Sequence, residues 1–191
     1  MKITRGFEEP HRDRAAELFW GAFQGKLGRL MGPEAKALAF LRETLDPTYC
    51  FAATEADRLL GLVGFKTYEG AFSGGTFADL RRAYGLWGAV WRGTLLEVLE
   101  RDVENRRFLL DGIFVAPEAR GRGVGTALLT RICEEGRLRG YREIRLDVID
   151  SNPRARTLYE REEFAAVATS SIGPLRHIFG FREVTTMVKR L

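Results

Sequence analysis

The chain has 191 residues, with 30 basic and 26 acidic side chains and a formal net charge of +4. This length suits one domain with a hydrophobic core, and 45% hydrophobic and 29% charged residues are ordinary for a globular protein. The small basic excess, with arginines interspersed among acids, argues against a nucleic-acid-binding surface, and no apolar run is long enough to cross a membrane.

The N-terminal segment MKITRGFEEP lacks the apolar region of a signal peptide, so we expect a cytoplasmic location. The only cysteines, Cys50 and Cys133, do not share a Cys-x-x-Cys spacing, and the only histidines are His11 and His177. This pattern predicts two buried thiols and no metal site.

The N-terminal half alternates strand and helix patterns. Gly25, Gly28 and Gly32 are expected to interrupt the first helical pattern, and Pro33 is well placed to open a second helix. The predicted elements are a strand at 2–7, a helix at 14–23, a helix at 33–45, and strands at 49–54 and 59–68 joined by a hairpin turn.

Residues 69–107 are the least regular part of the chain. Large apolar residues recur there at three- and four-residue steps: Phe77, Leu80, Tyr84, Trp87 and Trp91. That spacing is typical of a helix, but Gly85, Gly88 and Gly93 weaken it, so we predict two helices or one broken helix. The aromatic stripe could line a pocket, but packing against the sheet or a second subunit is the favoured interpretation.

The C-terminal half is more regular. Its predicted elements are strands at 108–115, 143–148, 164–168 and 183–188, and helices at 121–139 and 153–162. Gly140 is suited to end the first of these helices, and Asn152 and Pro153 are suited to begin the second. The order of elements predicts one mixed sheet covered by helices, in a single domain over 1–191.

A strand, a short turn, a glycine-rich bend and a helix start follow one another at 113–129. The first N–H groups of a helix have no intrahelical partner, glycines let a ligand approach them, and the helix dipole adds positive charge. This combination favours binding of a pyrophosphate. Arg120 and Arg122 would add full positive charges beside it.

Two common phosphate-binding motifs do not fit this segment. In the dinucleotide motif G-x-G-x-x-G, the third glycine would fall at Thr126 or Leu128, and the Walker motif needs a lysine that is absent here. What remains is Arg120-x-x-Gly123-x-Gly125. A glycine-rich turn with solvent-facing arginines is the alternative explanation.

Arg120-x-x-Gly123-x-Gly125 resembles the coenzyme A signature Gln/Arg-x-x-Gly-x-Gly/Ala of the GCN5-related N-acetyltransferase (GNAT) superfamily. The later segment with Asn152 and Ala155-x-x-Leu158-Tyr159 resembles the second half of the same core, so the resemblance covers about residues 108–191. It implies an α/β fold with a mixed, mostly antiparallel central sheet of about six to seven strands flanked by helices. Residues 69–107 would then be a helical insertion before the cofactor-binding strand.

The resemblance implies acetyl-CoA as the co-substrate. The strand backbone at Phe114 and Val115 would pair with the pantetheine arm and could stabilise the oxyanion. Asn152 could hydrogen-bond the arm, cap its helix, or do both. The pyrophosphate would be held by the backbone of Arg120, Gly121, Arg122, Gly123, Val124, Gly125 and Thr126.

Tyr159 matches the superfamily tyrosine that faces the coenzyme sulfur, which implies a general acid for the departing thiolate; the alternative is a core aromatic residue. Asp111 is the candidate general base, because superfamily members often place an acid near the incoming amine on this strand. By alternation, Asp111, Ile113 and Val115 should share one face, although a structural aspartate is an equally open interpretation. Glu69 is a weaker candidate base, and Asp147 and Asp150 are expected to be structural.

The sequence thus predicts an N-acetyltransferase that moves an acetyl group from acetyl-CoA to a primary amine of a small molecule or protein. A non-catalytic module that binds or senses acyl-CoA is the alternative, because the carrier-binding motifs would be the same. We expect no nucleic-acid or membrane partner, and the inserted aromatic helix is compatible with a homodimer. The acceptor amine is not indicated by the sequence.

Overall fold

The computed structural model describes residues 1–99 and 107–191, and its seven strands form one sheet in the order β1-β2-β3-β4-β5-β7-β6. The strands are β1 (Lys2–Arg5), β2 (Cys50–Glu55), β3 (Arg58–Lys66), β4 (Arg107–Val115), β5 (Glu143–Ile149), β6 (Ala165–Ser171) and β7 (Glu183–Arg190). The helices are α1 (Arg12–Met31), α2 (Glu34–Thr44), α3 (Phe77–Leu99), α4 (Val124–Leu138), α5 (Pro153–Arg161) and α6 (Arg176–Phe179).

The sheet is antiparallel except between its central strands β4 and β5. These two are parallel and pair only from Arg107 to Leu109 on the β4 side. Both strands continue beyond that point without pairing with each other, so the sheet opens into a gap at the carboxyl ends of β4 and β5. The predicted mixed, mostly antiparallel sheet flanked by helices is confirmed.

Two helices cover opposite faces of the sheet beside this gap. On one face, a Cβ atom on Gly61 of β3 would lie 3.3 Å from Val124 and 3.2 Å from Leu128 of α4. On the other face, the ring of Phe114 of β4 packs 5.2 Å from that of Phe19 of α1. The gap therefore lies between two packed layers.

The predicted end of the first helix was wrong. Helix α1 continues past Gly25 and Gly28 to Met31. Leu30 and Met31 are buried in the core. Burying two such side chains stabilises the helix by about 1.5–3 kcal/mol each, which exceeds the cost of about 1 kcal/mol for a glycine in a helix.

Helix α3 lies within the predicted insertion 69–107 and is broken at Gly85, where φ is +74° and ψ is 173°. The expectation of one broken helix is confirmed, while 100–106 lie outside the described residues. Within this chain the aromatic stripe of α3 packs only in part, because Leu80 is buried but Trp87 is 83% exposed, and packing of the rest against a second subunit stays a prediction. Beyond the break at Gly85, α3 has an exposed face with Leu86 and Trp87, whereas Ala89 on its other side is buried.

Both thiols are buried, as the sequence predicts. Burial, reinforced by the nearby charge of Asp46, raises the pKa of Cys50 to about 12, and burial also raises the pKa of Cys133. Neither thiol is a nucleophile near neutral pH. Within residues 1–99 and 107–191, no helix has the length and apolarity to cross a membrane, and no three His, Cys, Asp or Glu side chains are grouped as metal ligands would be.

A buried carboxylate ties the first strand to α4. Glu135 is 6% exposed, and its Oε1 lies 2.7 Å from Nη1 of Arg5 and 2.8 Å from Nε of Arg139. Burial opposes ionisation of Glu135, but the hydrogen bonds from Arg139 and Arg5 outweigh it and lower the pKa. A lowered native pKa stabilises the fold above the unfolded value of about 4.3, and this stabilisation is lost as the pH falls below it.

We expect Glu135→Gln to lower the free energy of unfolding by about 2 kcal/mol at neutral pH, because two arginines lose a charged acceptor at a buried site. Urea denaturation at pH 7 and at acid pH measures this, and the difference from the wild type should shrink on acidification. The neighbouring Glu134→Gln, at an exposed pair with Arg131, is the control and should change the free energy by less than about 0.5 kcal/mol. Equal effects of the two substitutions would contradict this role of Glu135.

Candidate active site

The glycine-rich turn between β4 and α4 has the backbone that its sequence predicts. Gly121 and Gly123 have φ of +77° and +78°, and Gly123 is the left-handed N-cap of α4. A Cβ atom on either glycine would have no neighbour within 4 Å, so this turn is open to an approaching group. Gly125 allows close packing instead, because a Cβ there would lie 3.1 Å from Leu158 of α5, a tight contact.

The first amides of α4 supply hydrogen-bond donors at the same turn. The Ala127 amide donates to the carbonyl oxygen of Gly123 at 3.0 Å. Helical geometry therefore leaves the amides of Val124, Gly125 and Thr126 without an intrahelical acceptor. Together with the positive end of the helix dipole, this geometry fits a pyrophosphate without any side chain.

The two arginines of the motif, Arg120 and Arg122, differ in the contacts that they make within the protein. Arg120 is exposed, and its Nε lies 3.4 Å from the carbonyl oxygen of Val115. Nη2 of Arg122 lies 2.6 Å from Oε2 of Glu55 in the β2–β3 hairpin, and this contact lowers the pKa of Glu55. Arg120 is therefore better placed than Arg122 to act on a ligand at the turn.

The Thr126 side chain is used within the protein. Its Oγ1 donates to Oε1 of Glu162 at 2.7 Å and accepts from Arg161 at 3.2 Å. The contribution of Thr126 to a ligand is thus limited to its amide.

The hydrogen-bonding register assigns the open edge of β4 to particular residues. Ala116 N donates to the carbonyl oxygen of Leu60 at 2.8 Å, so these two form a hydrogen-bonded antiparallel pair. Phe114, two residues earlier in the same register, also directs its main chain toward β3. The N–H and C=O groups of Ile113 and Val115 therefore face the gap. The main chain of Val115 thus faces the gap, as predicted. The main chain of Phe114 does not, and that of Ile113 faces the gap in its place.

A β-bulge interrupts β4 at the candidate base. Gly64 lies opposite Gly112 and Phe65 opposite Leu110, which leaves Asp111 as the extra residue. The bulge also reverses the faces of the strand: Phe108 packs near Gly136 of α4, whereas Phe114 packs on α1.

The bulge breaks the alternation of side chains along β4. Asp111 therefore does not share one face of the sheet with Ile113 and Val115, contrary to the expectation from the sequence. Asp111 instead reaches the loop before α3, where its Oδ2 accepts from Ser73 N at 3.1 Å and from Ser73 Oγ at 2.6 Å. These bonds orient the carboxylate. Sequence reasoning missed Ser73, because nothing local links two residues 38 positions apart.

Tyr159 of α5 is 5% exposed, and its ring packs 5.9 Å from that of Phe164. No described residue hydrogen-bonds its hydroxyl, and burial raises the pKa of the phenol well above its usual value. Asn152 is the N-cap of the same helix, with Oδ1 accepting from Ala155 N at 3.2 Å. The capping role of Asn152 is therefore present, and its side chain also borders the gap.

A cavity of about 500 Å³ connects these groups. At the sheet it is lined by Asp111, Ile113, Asn152 and Tyr159, and away from the sheet by residues of α1, α2 and α3. Other predicted acids have structural contacts: Asp150 accepts from Arg182 N, and Asp147 accepts from Thr186 although it also borders the cavity. A carboxylate, a phenol and open main-chain donors thus border one space, as transfer of an acyl group to an amine requires.

The comparisons with known proteins agree with this geometry. The sequence model of the Acetyltransferase (GNAT) family matches residues 12–164. Thialysine N-epsilon-acetyltransferase from Bos taurus is 37% identical over 57 residues, which are 30% of this chain and 34% of that protein. The chain thus spans about a third of the length of the curated relatives it matches.

Solved structures share the fold at low sequence identity. An N-acetyltransferase from Staphylococcus aureus Mu50 superposes with a TM-score of 0.72 at 14% identity, over 99% of this chain and 100% of that one. A GNAT family acetyltransferase from Elizabethkingia anophelis, solved with acetyl-CoA bound, has a TM-score of 0.51 at 10% identity over 74% of this chain and 75% of that one. Because the family model spans most of the sequence and the sheet has the same architecture, this chain belongs to the GNAT acetyltransferase family, whose enzymes use acetyl-CoA.

Proposed function

We propose that this protein catalyses direct transfer of an acetyl group from acetyl-CoA to a primary amine of a small molecule or peptide. The observation that carries the proposal is the cavity at the gap in the sheet, which is bordered by Asp111, Tyr159 and Ile113 of the open β4 edge. The glycine turn with its left-handed Gly121 and Gly123 follows the carboxyl end of the same strand.

The pyrophosphate of acetyl-CoA would accept hydrogen bonds from the amides between Gly121 and Thr126, with Arg120 adding charge. The pantetheine arm would run along β4 as an added strand and pair with the main chain of Ile113 and Val115. Its carbonyl end would then lie near the bulge at Asp111. A main-chain N–H at this edge would stabilise the oxyanion that forms when the thioester is attacked.

The reaction needs two proton transfers. The amine nitrogen attacks the thioester carbon, a C–N bond forms, the C–S bond breaks, and the nitrogen loses a proton. Asp111 takes that proton, directly or through one water, and Tyr159 gives its proton to the departing thiolate. Return of a proton to Tyr159 through solvent completes the cycle, with an amide and free coenzyme A as products.

Thiol release from acetyl-CoA across a panel of primary amines, thialysine included because of the curated relatives, tests the proposal. We expect amine-dependent release, and calorimetry should show acetyl-CoA binding without any amine. Acetyl-CoA binding with no release for any amine would favour the non-catalytic module. Absence of both binding and release would contradict the proposed site altogether.

Three further expectations stay predictions. They are a cytoplasmic location, a single domain over residues 1–191, and a homodimer. The exposed face of α3 around Leu86, Trp87 and Val90 makes association of copies physically reasonable. Sedimentation of the purified protein measures the oligomeric state.

A further inference from the structure

The part of the cavity away from the sheet has a strongly apolar wall. We propose that the acceptor is a primary amine carried on an apolar body of aromatic size, which packs between α1, α2 and α3 with its nitrogen toward Asp111. This inference rests on the proposed function and adds the chemical class of the acceptor. It also assigns Gly93 of α3 as a position that limits acceptor size.

Aromatic rings dominate the wall formed by α1 and β4. The rings of Phe19 and Phe23 lie 4.7 Å apart, and that of Phe114 lies 5.2 Å from the first and 5.5 Å from the second. Phe40 of α2 and Phe77 of α3 line the same space. An apolar body there would be covered by ring faces and edges, and each methylene removed from water would improve binding about fourfold.

The charged groups at the cavity favour a cation over an anion. Among the described residues that line it, the charged side chains are Lys66, Asp111 and Asp147. Asp147 is already paired with Arg145, whose Nη2 lies 3.5 Å from its Oδ2, so Asp111 is the carboxylate that an ammonium group would approach. An acceptor that carried a free carboxylate, such as an amino acid, would have to bury that carboxylate in a mainly apolar space with a single lysine to oppose its charge.

Helix α3 is held in place as a wall by the end of α1. Nε of Arg92 donates to the carbonyl oxygen of Leu30 at 2.8 Å, and the Tyr84 hydroxyl donates to that of Met31 at 2.5 Å. The guanidinium of Arg92 lies 4.1 Å from the Tyr84 ring centre and 4.2 Å from that of Trp91. These contacts satisfy the last carbonyls of α1 and fix the wall, so its shape can select an acceptor.

Gly93 is the position on this wall where a side chain would enter the cavity. Gly93 lines the cavity, and its Cβ would lie 3.9 Å from Phe77 and 4.0 Å from Leu80, which is ordinary contact. A leucine there would extend beyond this Cβ and occupy space that the acceptor body needs. Because a helical glycine is replaced, the substitution should not weaken α3.

The first experiment measures kcat/KM of the wild type for ethylamine, butylamine, 2-phenylethylamine and lysine at a fixed acetyl-CoA concentration. We expect kcat/KM for 2-phenylethylamine to be at least thirtyfold higher than that for ethylamine, and higher than that for lysine by a similar factor. Equal or greater activity with lysine would overturn the inference while leaving the proposed function standing. Absence of amine-dependent thiol release with every amine of the panel would overturn both.

The second experiment compares Gly93→Leu with Gly21→Leu, the same exchange on the exposed side of α1, where a Cβ has no neighbour within 4 Å. Gly93→Leu should lower kcat/KM for 2-phenylethylamine at least tenfold, chiefly through KM, and change that for ethylamine less than threefold. Gly21→Leu should change neither. Thermal unfolding and acetyl-CoA calorimetry verify that each variant is folded. A Gly93→Leu enzyme with unchanged selectivity would contradict the assignment, and the wild-type panel decides the acceptor class even if that variant does not fold.

Discussion

Replacing Tyr159 by phenylalanine should lower kcat by about 10²- to 10³-fold and leave the dissociation constant of acetyl-CoA nearly unchanged, because loss of a positioned proton donor costs about this much. The hydroxyl has no hydrogen-bond partner among the described residues, so its removal breaks no hydrogen bond between them. The ring keeps its packing against Phe164. Single-turnover kinetics and calorimetry separate the chemical step from coenzyme binding.

The raised pKa of Tyr159 can be tested through the pH dependence of kcat. Burial disfavours the phenolate, so the phenol stays protonated and able to donate beyond the usual tyrosine pKa of about 10. The wild-type kcat should therefore show no alkaline decrease from this group below about pH 10. Tyr141→Phe is the matched control, since Tyr141 is half-buried beside Phe108 and away from the cavity, and it should retain full activity. Unchanged turnover in Tyr159→Phe would remove this residue from the mechanism.

The sequence predicts the backbone of the glycine turn and the starts of α4 and α5 well because the signals there are local. Gly123 and Gly125 stand next to the strand and the helix that they connect, and Asn152 and Pro153 stand at the helix that they start. Short-range backbone rules are sufficient there. The conformation of these turns and helix starts could therefore be predicted from the order of residues in the chain.

The part of the cavity proposed to hold the acceptor depends on contacts between residues far apart in the sequence. Local sequence patterns do not predict such contacts. The bulge at Asp111 becomes visible only from the register between β3 and β4, and it is what separates Asp111 from the expected face. The same register assigns the open main-chain groups to Ile113 and not to Phe114. Likewise, α1 continues past Gly28 because Leu30 is buried, and helix propensities alone do not predict that burial.

Replacing Gly123 by aspartate should weaken acetyl-CoA binding about 30- to 150-fold, the largest effect expected from one residue in the glycine turn. At an effective dielectric constant near 20, a unit charge about 4 Å from one charge of a diphosphate costs about 4 kcal/mol, and solvent screening and side-chain rotation reduce this to about 2–3 kcal/mol. The added Cβ has space, so the loss comes from charge and not from a clash. Calorimetry at low and high salt measures it, and the deficit should shrink as salt increases.

The control variant must introduce the same backbone strain at a position away from the proposed diphosphate site. Gly140, beyond the other end of α4, has φ of +81° and likewise no neighbour within 4 Å of an added Cβ. Gly140→Asp should therefore lower thermal stability about as much as Gly123→Asp, since both place a non-glycine residue in the left-handed region at a cost of about 1 kcal/mol. Only the Gly123 variant should lose coenzyme affinity. Equal affinities in the two variants would mean that the turn before α4 does not hold the diphosphate, and the proposed direction of acetyl-CoA along β4 would then be wrong.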